Sequence, residues 1–459
     1  MRGLMTNPSP NTDQNGGLFQ TDFAPEEFAA RRGRILDAIG TGAVAVIQGA
    51  SPVRGFEVFR QSNEFYWCSG VDVPQAYLLA RGTNRKTTLY LPHRERQSSE
   101  GAILTADDAA LARQLTGVDE VCGIEMLAAD LVNASVIYTP HAPAEGHMGS
   151  RDELLRARAK VASDPWDGAP PRESRFIRRL RQLNPRAEIR DLSPVLDGLR
   201  AVKSPAELRL LRRAGQLAAL AVTEAMKITR PGLIERQLGA LAEYIYTFHG
   251  ARGHSYRPII PGGANIWHVH YFRNDCPLKD GDLVLMDAAP DLGYYTSDIG
   301  RMWPVGGTYA PWQRELYGYM VEYHKAVLKR IRPGVTADQV MDEAAAEMTP
   351  VVEAARFSKP AFEAAARRTL AFRGHMSHPV GMTVHDVGDY RARPLVPGIV
   401  LTVDPQMWVP EERFYIRVED TVAVTDDGIE NLTCAAPLEL NDVEAMMRDK
   451  HVPPPLFSQ

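Results

Sequence analysis

Asp287 and Asp298 stand eleven positions apart in LVLMDAAPDLGYYTSDIGRMW, and His378, Asp404 and Glu419 follow downstream. Four carboxylates and an imidazole, each in a strand-like or Gly/Pro-flanked segment, are the donor types that hold hard divalent cations, and acids that bridge can keep two ions close together. The chemistry expected of such a pair is hydrolysis by a metal-activated water. Taken singly, an acid is ordinarily a solvated surface group or a helix cap. Acids inside apolar alternating runs are different, because an isolated buried carboxylate is very costly unless it is paired or metal-bound.

The elements that must position these donors are strands. LVLMDA reads as a buried strand ending at Asp287, and YTSDIGRMWPV as a second one. A turn through Asp291 and Gly293 makes the two a hairpin that returns Asp298 to the side of Asp287. GIVLTVDPQMW presents Asp404 after a buried strand. FYIRVEDTVAVT reads as one further strand, on which the two-residue period puts Arg417 and Glu419 on one face and Asp420 on the other. From there Arg417 would hold Glu419 in place behind the ion, or form a cross-strand salt bridge. Arg301 is expected either to neutralise or orient a carboxylate or to make a surface ion pair. Eight of the twelve histidines fall between His249 and His385. Within that cluster His378 and His385 lie in the non-helical segment GHMSHPVGMTVHDVGD. One ring would serve as a ligand and the other would bond a developing oxyanion or move a proton.

The chain of 459 residues is 44% apolar and 24% charged, an ordinary globular composition with enough apolar content for two or more cores. A net charge of -5 offers no broad basic field for nucleic acid. The basic run RFIRRLRQ, Arg175 to Gln182, reads as a solvated helix face. Four scattered cysteines without CxxC spacing suggest neither a zinc ribbon nor a disulfide framework. The first residues are polar and rich in Asn, Pro and Gly, lacking the apolar core of a signal peptide, and no segment offers eighteen uninterrupted apolar residues. A soluble, cytoplasmic protein without a membrane partner is expected.

Residues 1–22 are expected as a flexible tail, 23–195 as an α/β domain in which helices alternate with short strands, and 196–459 as the catalytic domain. Residues 142–173 read as a Pro/Gly-rich surface excursion. A long amphipathic helix should begin with Ser204 as N-cap, Pro205 in the first turn and Glu207 closing a capping box. Arg230-Pro231-Gly232 and Arg332-Pro333-Gly334, 102 residues apart, each separate two helical runs that precede strands with candidate ligands. This echo suggests a duplicated half with a pseudo-twofold axis.

Taken in order, Asp287, Asp298, His378, Asp404 and Glu419 resemble the ligand set of the pita-bread metallopeptidases, the clan of methionine aminopeptidase, prolidase and aminopeptidase P. The resemblance implies an α/β protein with a creatinase-like N-terminal α/β domain followed by a duplicated pita-bread α+β catalytic domain. It also implies that Asp298 and Glu419 bridge two ions, Asp287 completes one site, and His378 with Asp404 completes the other. In the first domain, GFEVFRQSNEFYWCSGVDVPQAYLL is similar to the amino-terminal segment of aminopeptidase P, where a Phe-Arg-Gln run precedes a strand and a Gly/Pro turn, and Arg60, Gln61, Phe65 and Gly70 favour that branch. HYFRND and VHDVGD match the family's two non-ligand histidines, which makes His270 and His385 the groups that contact substrate and steady the tetrahedral intermediate.

One departure bears on mechanism. Where the family pattern runs Thr-x-Glu-Pro-Gly, this chain has Thr402-Val403-Asp404-Pro405-Gln406, so the carboxylate is one methylene shorter, ~1.5 Å of reach. Trp408 stands where a Tyr is usual. The resemblance implies an aminopeptidase that removes the residue preceding proline with two divalent ions, manganese first and zinc or cobalt as alternatives. Asp404 would be the base; separately, Arg391 and Arg393 in the Pro-flanked DYRARPLVPG loop would meet a substrate carboxylate or phosphate-like anion, or simply lie in an exposed loop. The expected partners are a peptide or dipeptide substrate and further copies of the chain in a homodimer or homotetramer. Two other readings stand beside it, an Xaa-Pro dipeptidase and a catalytically weakened peptide-binding homologue. Lengthening the acid, Asp404→Glu, is expected to raise hydrolysis, and a fall would mean that the site is built around the shorter side chain.

Overall fold

A computed structural model describes residues 18–53, 55–95, 103–391 and 393–448, so the first seventeen residues of the expected tail lie outside the described residues. The chain divides into two compact units. One comprises residues 1–147 with 151–199, and the other residues 148–150 with 200–459.

The first unit is an α/β layer. Its elements in order are α1 (Pro25–Ile39), β1 (Ala43–Gln48), α2 (Asn63–Ser69), β2 (Tyr77–Arg81), β3 (Lys86–Leu91), α3 (Ala109–Thr116), β4 (Glu120–Gly123), α4 (Leu127–Leu131), β5 (Val136–Thr139), α5 (Arg151–Ser163), α6 (Arg172–Leu183), β6 (Glu188–Asp191) and α7 (Ser193–Ala201). The strands form one mixed sheet in the order β4-β3-β2-β1-β5-β6. Its central β1 pairs antiparallel with β2 and parallel with β5. Two of these helices lie where the sequence suggests other structure. α2, NEFYWCS, is buried along its whole length and ends on Gly70 in a left-handed conformation. Its continuous aromatic run has no polar face to show the helical period. α5 occupies the expected surface excursion, and none of its residues is fully buried, so it carries no apolar stripe to detect.

The second unit opens with α8 (Pro205–Ile228), whose N-terminus is the capping box read from sequence, Glu207 N donating to Ser204 Oγ and Ser204 N donating to Glu207 Oε2. Then follow α9 (Glu235–Phe248), β7 (Leu283–Asp287), β8 (Ile299–Pro304), α10 (Pro311–Arg330), α11 (Ala337–Ala354), α12 (Pro360–Ala371), β9 (Val400–Val403), β10 (Gln406–Val409), β11 (Phe414–Arg417), β12 (Glu419–Val424), β13 (Ile429–Asn431) and α13 (Leu440–Arg448). The main sheet runs β13-β12-β8-β7, with β9 also paired to β12, while β10 and β11 form a separate ribbon. α8 packs on α9 and α10 on α11, and their apolar faces share one core with the inner sides of β7, β8, β9 and β12.

The duplication is visible in the backbone. After α8, Gly232 N donates to Leu278 O, and Leu278 N donates to Leu233 O. After α10, Gly334 N donates to Leu395 O, and Leu395 N donates to Val335 O. Both glycines have positive φ, 91° and 84°, which a side chain would resist. The caps repeat as well, Ile234 N bonding Gln237 Oε1 and Thr336 N bonding Gln339 Oε1. Gly232 and Gly334, Leu233 and Val335, and the two capping pairs are each 102 residues apart, the spacing of the two Arg-Pro-Gly runs.

FYIRVEDTVAVT is not one strand. The chain leaves the β10–β11 ribbon after Arg417 and enters the main sheet at Glu419, with Val418 between. The break is hidden in the sequence because both halves are strands and are almost wholly buried, so no polar turn residue marks the change of sheet. All four cysteines are free. No helix among the described residues is long and apolar enough to cross a membrane.

Candidate metal centre

Gly300 organises the site. As a β8 residue it is the register partner of Asp287 on β7 and of Glu419 on β12, so the two acids flank it from either side. A Cβ at this position would lie 2.9 Å from Glu419 Oε2 and 3.2 Å from Arg417 Nε, so a larger residue would push both charged side chains aside. Asp298 sits one residue before β8. Its amide bonds Thr421 Oγ1 at 2.8 Å, and its carbonyl accepts from the same hydroxyl at 2.7 Å. The turn expected through Asp291 and Gly293 is present, with Leu292 and Tyr295 bridged around Gly293 and Tyr294.

The remaining donors are set side by side by a ladder. Thr402 N bonds His378 O at 2.9 Å, Asp404 N bonds Met376 O at 3.0 Å, and Val380 N bonds Val400 O at 3.0 Å. The segment that carries His378 therefore lies along β9 and its extension at Asp404. His378 Nε2 is 3.4 Å from Asp298 Oδ2. Ligand atoms of Asp298, His378 and Glu419 all lie within 4.8 Å of one another.

Arg417 stands among the acids. Its Nη2 is 2.9 Å from Asp287 Oδ2 and contacts Glu419 Oε2, and its Nε is 3.2 Å from Asp404 Oδ1. The role read from sequence was to hold Glu419; the guanidinium touches all three acids. Arg301 does neutralise a carboxylate, though not one of the donor set. It is buried and pairs with Asp420 on the opposite face of β12, where His324 and Thr433 complete that carboxylate's partners.

The electrostatics follow from burial. Desolvation raises the Asp287 carboxyl to about 7 and pushes Glu419 well above the usual range. Burial acts on Asp298 in the same sense, but the hydrogen bond and charge of His378 outweigh it and bring Asp298 to about 2. Asp404 is raised, again by burial against the pull of Arg417.

The donor set fits a divalent cation. Asp404 Oδ1 and Glu419 Oε1 are buried oxygens that accept no hydrogen bond, the condition a metal relieves. Three carboxylates, Asp287, Asp404 and Glu419, converge on one guanidinium, and with burial raising the pKa of all three, more negative charge is gathered here than Arg417 alone neutralises. Oxygen donors with one imidazole suit manganese, zinc or cobalt.

His385 and His270 border this cluster. The His385 ring is 4.1 Å from that of His378 and 6.4 Å from that of His270, which stacks on Phe272. Arg391 is not brought to the acids. Its exposed guanidinium bonds Asp389 two residues away.

Sequence reasoning does not single out Tyr256. Its hydroxyl is 2.6 Å from Asp287 Oδ1 and 2.7 Å from Asp298 Oδ1, joining the two strands' acids through one group. The residue lies in a loop without periodicity, so no pattern marks it. Gly300 does carry a signal, since a lone glycine inside an apolar strand indicates close approach of another group. Tyr256→Phe is expected to cost metal-free protein about 1.5–3 kcal/mol, the range for a hydrogen bond to a charged partner. A lowered urea midpoint would report it, and an unchanged midpoint would show that the hydroxyl contributes nothing.

Both units of the chain are similar to known proteins. Residues 209–426 match Metallopeptidase family M24, and residues 28–138 match the aminopeptidase P N-terminal domain. The Xaa-Pro aminopeptidase of Escherichia coli is 31% identical over 93% of this chain and 98% of its own. The structure of aminopeptidase P from Escherichia coli with the inhibitor Pro-Leu superposes with a TM-score of 0.75 at 28% identity, covering 93% of this chain and 99% of that one. A zinc-substituted form of that enzyme in complex with product gives 0.74 at 28% identity, with the same coverage. With both domains matched and the likeness running nearly end to end, the chain belongs to metallopeptidase family M24, among the Xaa-Pro aminopeptidases.

Proposed function

We propose that this protein removes the first residue from peptides whose second residue is proline, with two divalent ions, manganese first among them, held by Asp287, Asp298, His378, Asp404 and Glu419. The observation that carries this reading is the convergence of those five donors, with two buried carboxylate oxygens left without hydrogen bonds, in a chain that is similar to Xaa-Pro aminopeptidases along its length. When bound, the ions supply Lewis-acid charge that acidifies water and polarises the scissile carbonyl.

The protein's own groups do the rest. Asp404 accepts the proton of the attacking water. His385, close to His378, donates to the oxygen on which negative charge develops, with His270 beside it. Tyr256 ties Asp287 to Asp298 through one hydroxyl, and Arg417 draws Asp287, Asp404 and Glu419 together around one guanidinium. A cavity of about 380 Å³ borders Asp404, lined by Met341, Phe372, Met376, Gln406 and Trp408 among others, a size that accepts an amino-acid side chain.

The test is hydrolysis of Ala-Pro-Ala against Ala-Pro by manganese-loaded protein, with free alanine measured. Faster release from the tripeptide is expected. Cleavage of the dipeptide alone would replace this reading with an Xaa-Pro dipeptidase. No cleavage of either, with less than one tightly bound ion per chain by elemental analysis, would leave a peptide-binding homologue.

A further inference from the structure

Gln406 and Arg417 are register partners across the β10–β11 ribbon. Both reach the same carboxylate. Gln406 Nε2 donates to Asp404 Oδ2 at 2.7 Å, and Arg417 Nε lies 3.2 Å from Oδ1. Oδ1 accepts no hydrogen bond and has only the ion-pair contact with Arg417, so one oxygen of Asp404 is tied by an amide while the other keeps lone pairs for a cation. The Asp404 side chain is only 6% exposed, so water does not compete freely for Oδ2. Pro405 separates the two residues. Its ring fixes φ near −65° and confines Asp404 to extended conformations, so the contact between residues 404 and 406 costs little backbone freedom.

We propose that Gln406 is a positioning residue, clamping the short carboxylate of Asp404 so that it presents Oδ1 to the ion and does at this site the work of a longer acid. The inference rests on the reading of Asp404 as ligand and base given above. An aspartate has less reach than a glutamate by ~1.5 Å, and without a second anchor its carboxylate can rotate away from the cluster. Misplacement of about an ångström costs roughly a hundredfold in rate. The cross-strand clamp removes that freedom. It also means that the space a longer acid would use is already taken by the Gln406 amide, so lengthening residue 404 alone brings the two side chains into conflict.

Four proteins test this: the parent, Gln406→Met, Asp404→Glu, and the double variant Asp404→Glu/Gln406→Gly. Methionine matches the length of glutamine but has no donor. Two readouts are needed, manganese titration of chelator-treated protein by calorimetry, and kcat with KM on Ala-Pro-Ala. Gln406→Met should lose one of two manganese equivalents at concentrations where the parent binds both, and kcat should fall tenfold or more with KM within twofold. Asp404→Glu should also fall, the reverse of what the shorter acid suggests from sequence alone, because Gln406 already holds that carboxylate; the double variant should recover at least tenfold over Asp404→Glu. Unchanged manganese binding and kcat in Gln406→Met would overturn the clamp, and so would Asp404→Glu exceeding the parent or a double variant no more active than Asp404→Glu. If the parent binds manganese in a Gln406-dependent way yet cleaves no proline peptide, the clamp stands and the proposed activity falls. If the parent cleaves and Gln406→Met is indistinguishable from it, the activity stands and the clamp falls. Circular dichroism of each variant shows that a loss is not a failure to fold.

Discussion

Replacing Arg417 by leucine should make the fold depend on added metal. The guanidinium is almost wholly buried and lies within ion-pair distance of Asp287, Asp404 and Glu419. Those acids hold it firmly charged. Burial opposes the charge, but Asp404, Glu419 and Asp287 together push its pKa well above the usual arginine range. Removing one member of a buried ion cluster leaves the others uncompensated, a cost of about 3–5 kcal/mol. In a unit of this size each kcal/mol shifts the melting temperature by about 2–4 °C, so chelator-treated Arg417→Leu should melt roughly 10 °C below the parent. Divalent cations would return positive charge to the same acids. Most of the deficit should therefore disappear when manganese is added in excess. Thermal scans with and without metal decide the matter, and an equal deficit in both would show that Arg417 stabilises by packing rather than by charge.

Asp386→Asn should be comparably severe and largely indifferent to metal. Asp386 Oδ1 lies 2.6 Å from Arg200 Nη2 and Oδ2 lies 3.0 Å from Lys203 Nζ, with all three side chains about 1% exposed. An amide there leaves two cations buried beside a neutral group, at about 3–5 kcal/mol. The pH dependence carries a definite sign. Burial raises the Asp386 carboxyl, but Lys203 and Arg200 outweigh that and hold it below the usual range. Its folded pKa is thus below its unfolded one, and its contribution is complete above the unfolded value of about 3.9 and lost as pH falls through the folded value. The gap between parent and variant should be constant from pH 5 to 8 and narrow below pH 4. Urea unfolding of both proteins across that range measures it. A gap under 1 kcal/mol at pH 7, or one that widens in acid, would refute the argument. Because His385 precedes Asp386 in the chain, the same variant should also lower kcat on Ala-Pro-Ala.

Much of the second unit was legible one element at a time. The capping box at Ser204 and Glu207, the strand ending at Asp287 and the turn before Asp298 each rest on residues within a few positions of one another. The repeated Arg-Pro-Gly was legible for the same reason, since a helix stop followed by a capped helix is a local signature. Short-range geometry suffices for these features, because backbone dihedrals and side-chain period are set by neighbours in the chain.

Contacts between distant positions were not legible. Arg301 could have met any of several acids, and only the pairing of β8 with β12 sends it to Asp420. The run through Arg417 and Glu419 looked continuous, and only the competition of two sheets for its halves breaks it at Val418. α5 offered no buried stripe, and the aromatic run of α2 showed no period at all.

The amino-acid order by itself determined the donor types, their sequence along the chain and the strands and turns that carry them, because those depend on local chemistry. The tertiary structure alone decided that Gly300 stands between Asp287 and Glu419, that Tyr256 joins two acids, and that Gln406 and Arg417 grip opposite oxygens of Asp404. Those facts depend on strand register and on packing between residues far apart in the chain. Register is a global choice, since a slip of one residue turns every side chain of a strand to the other face.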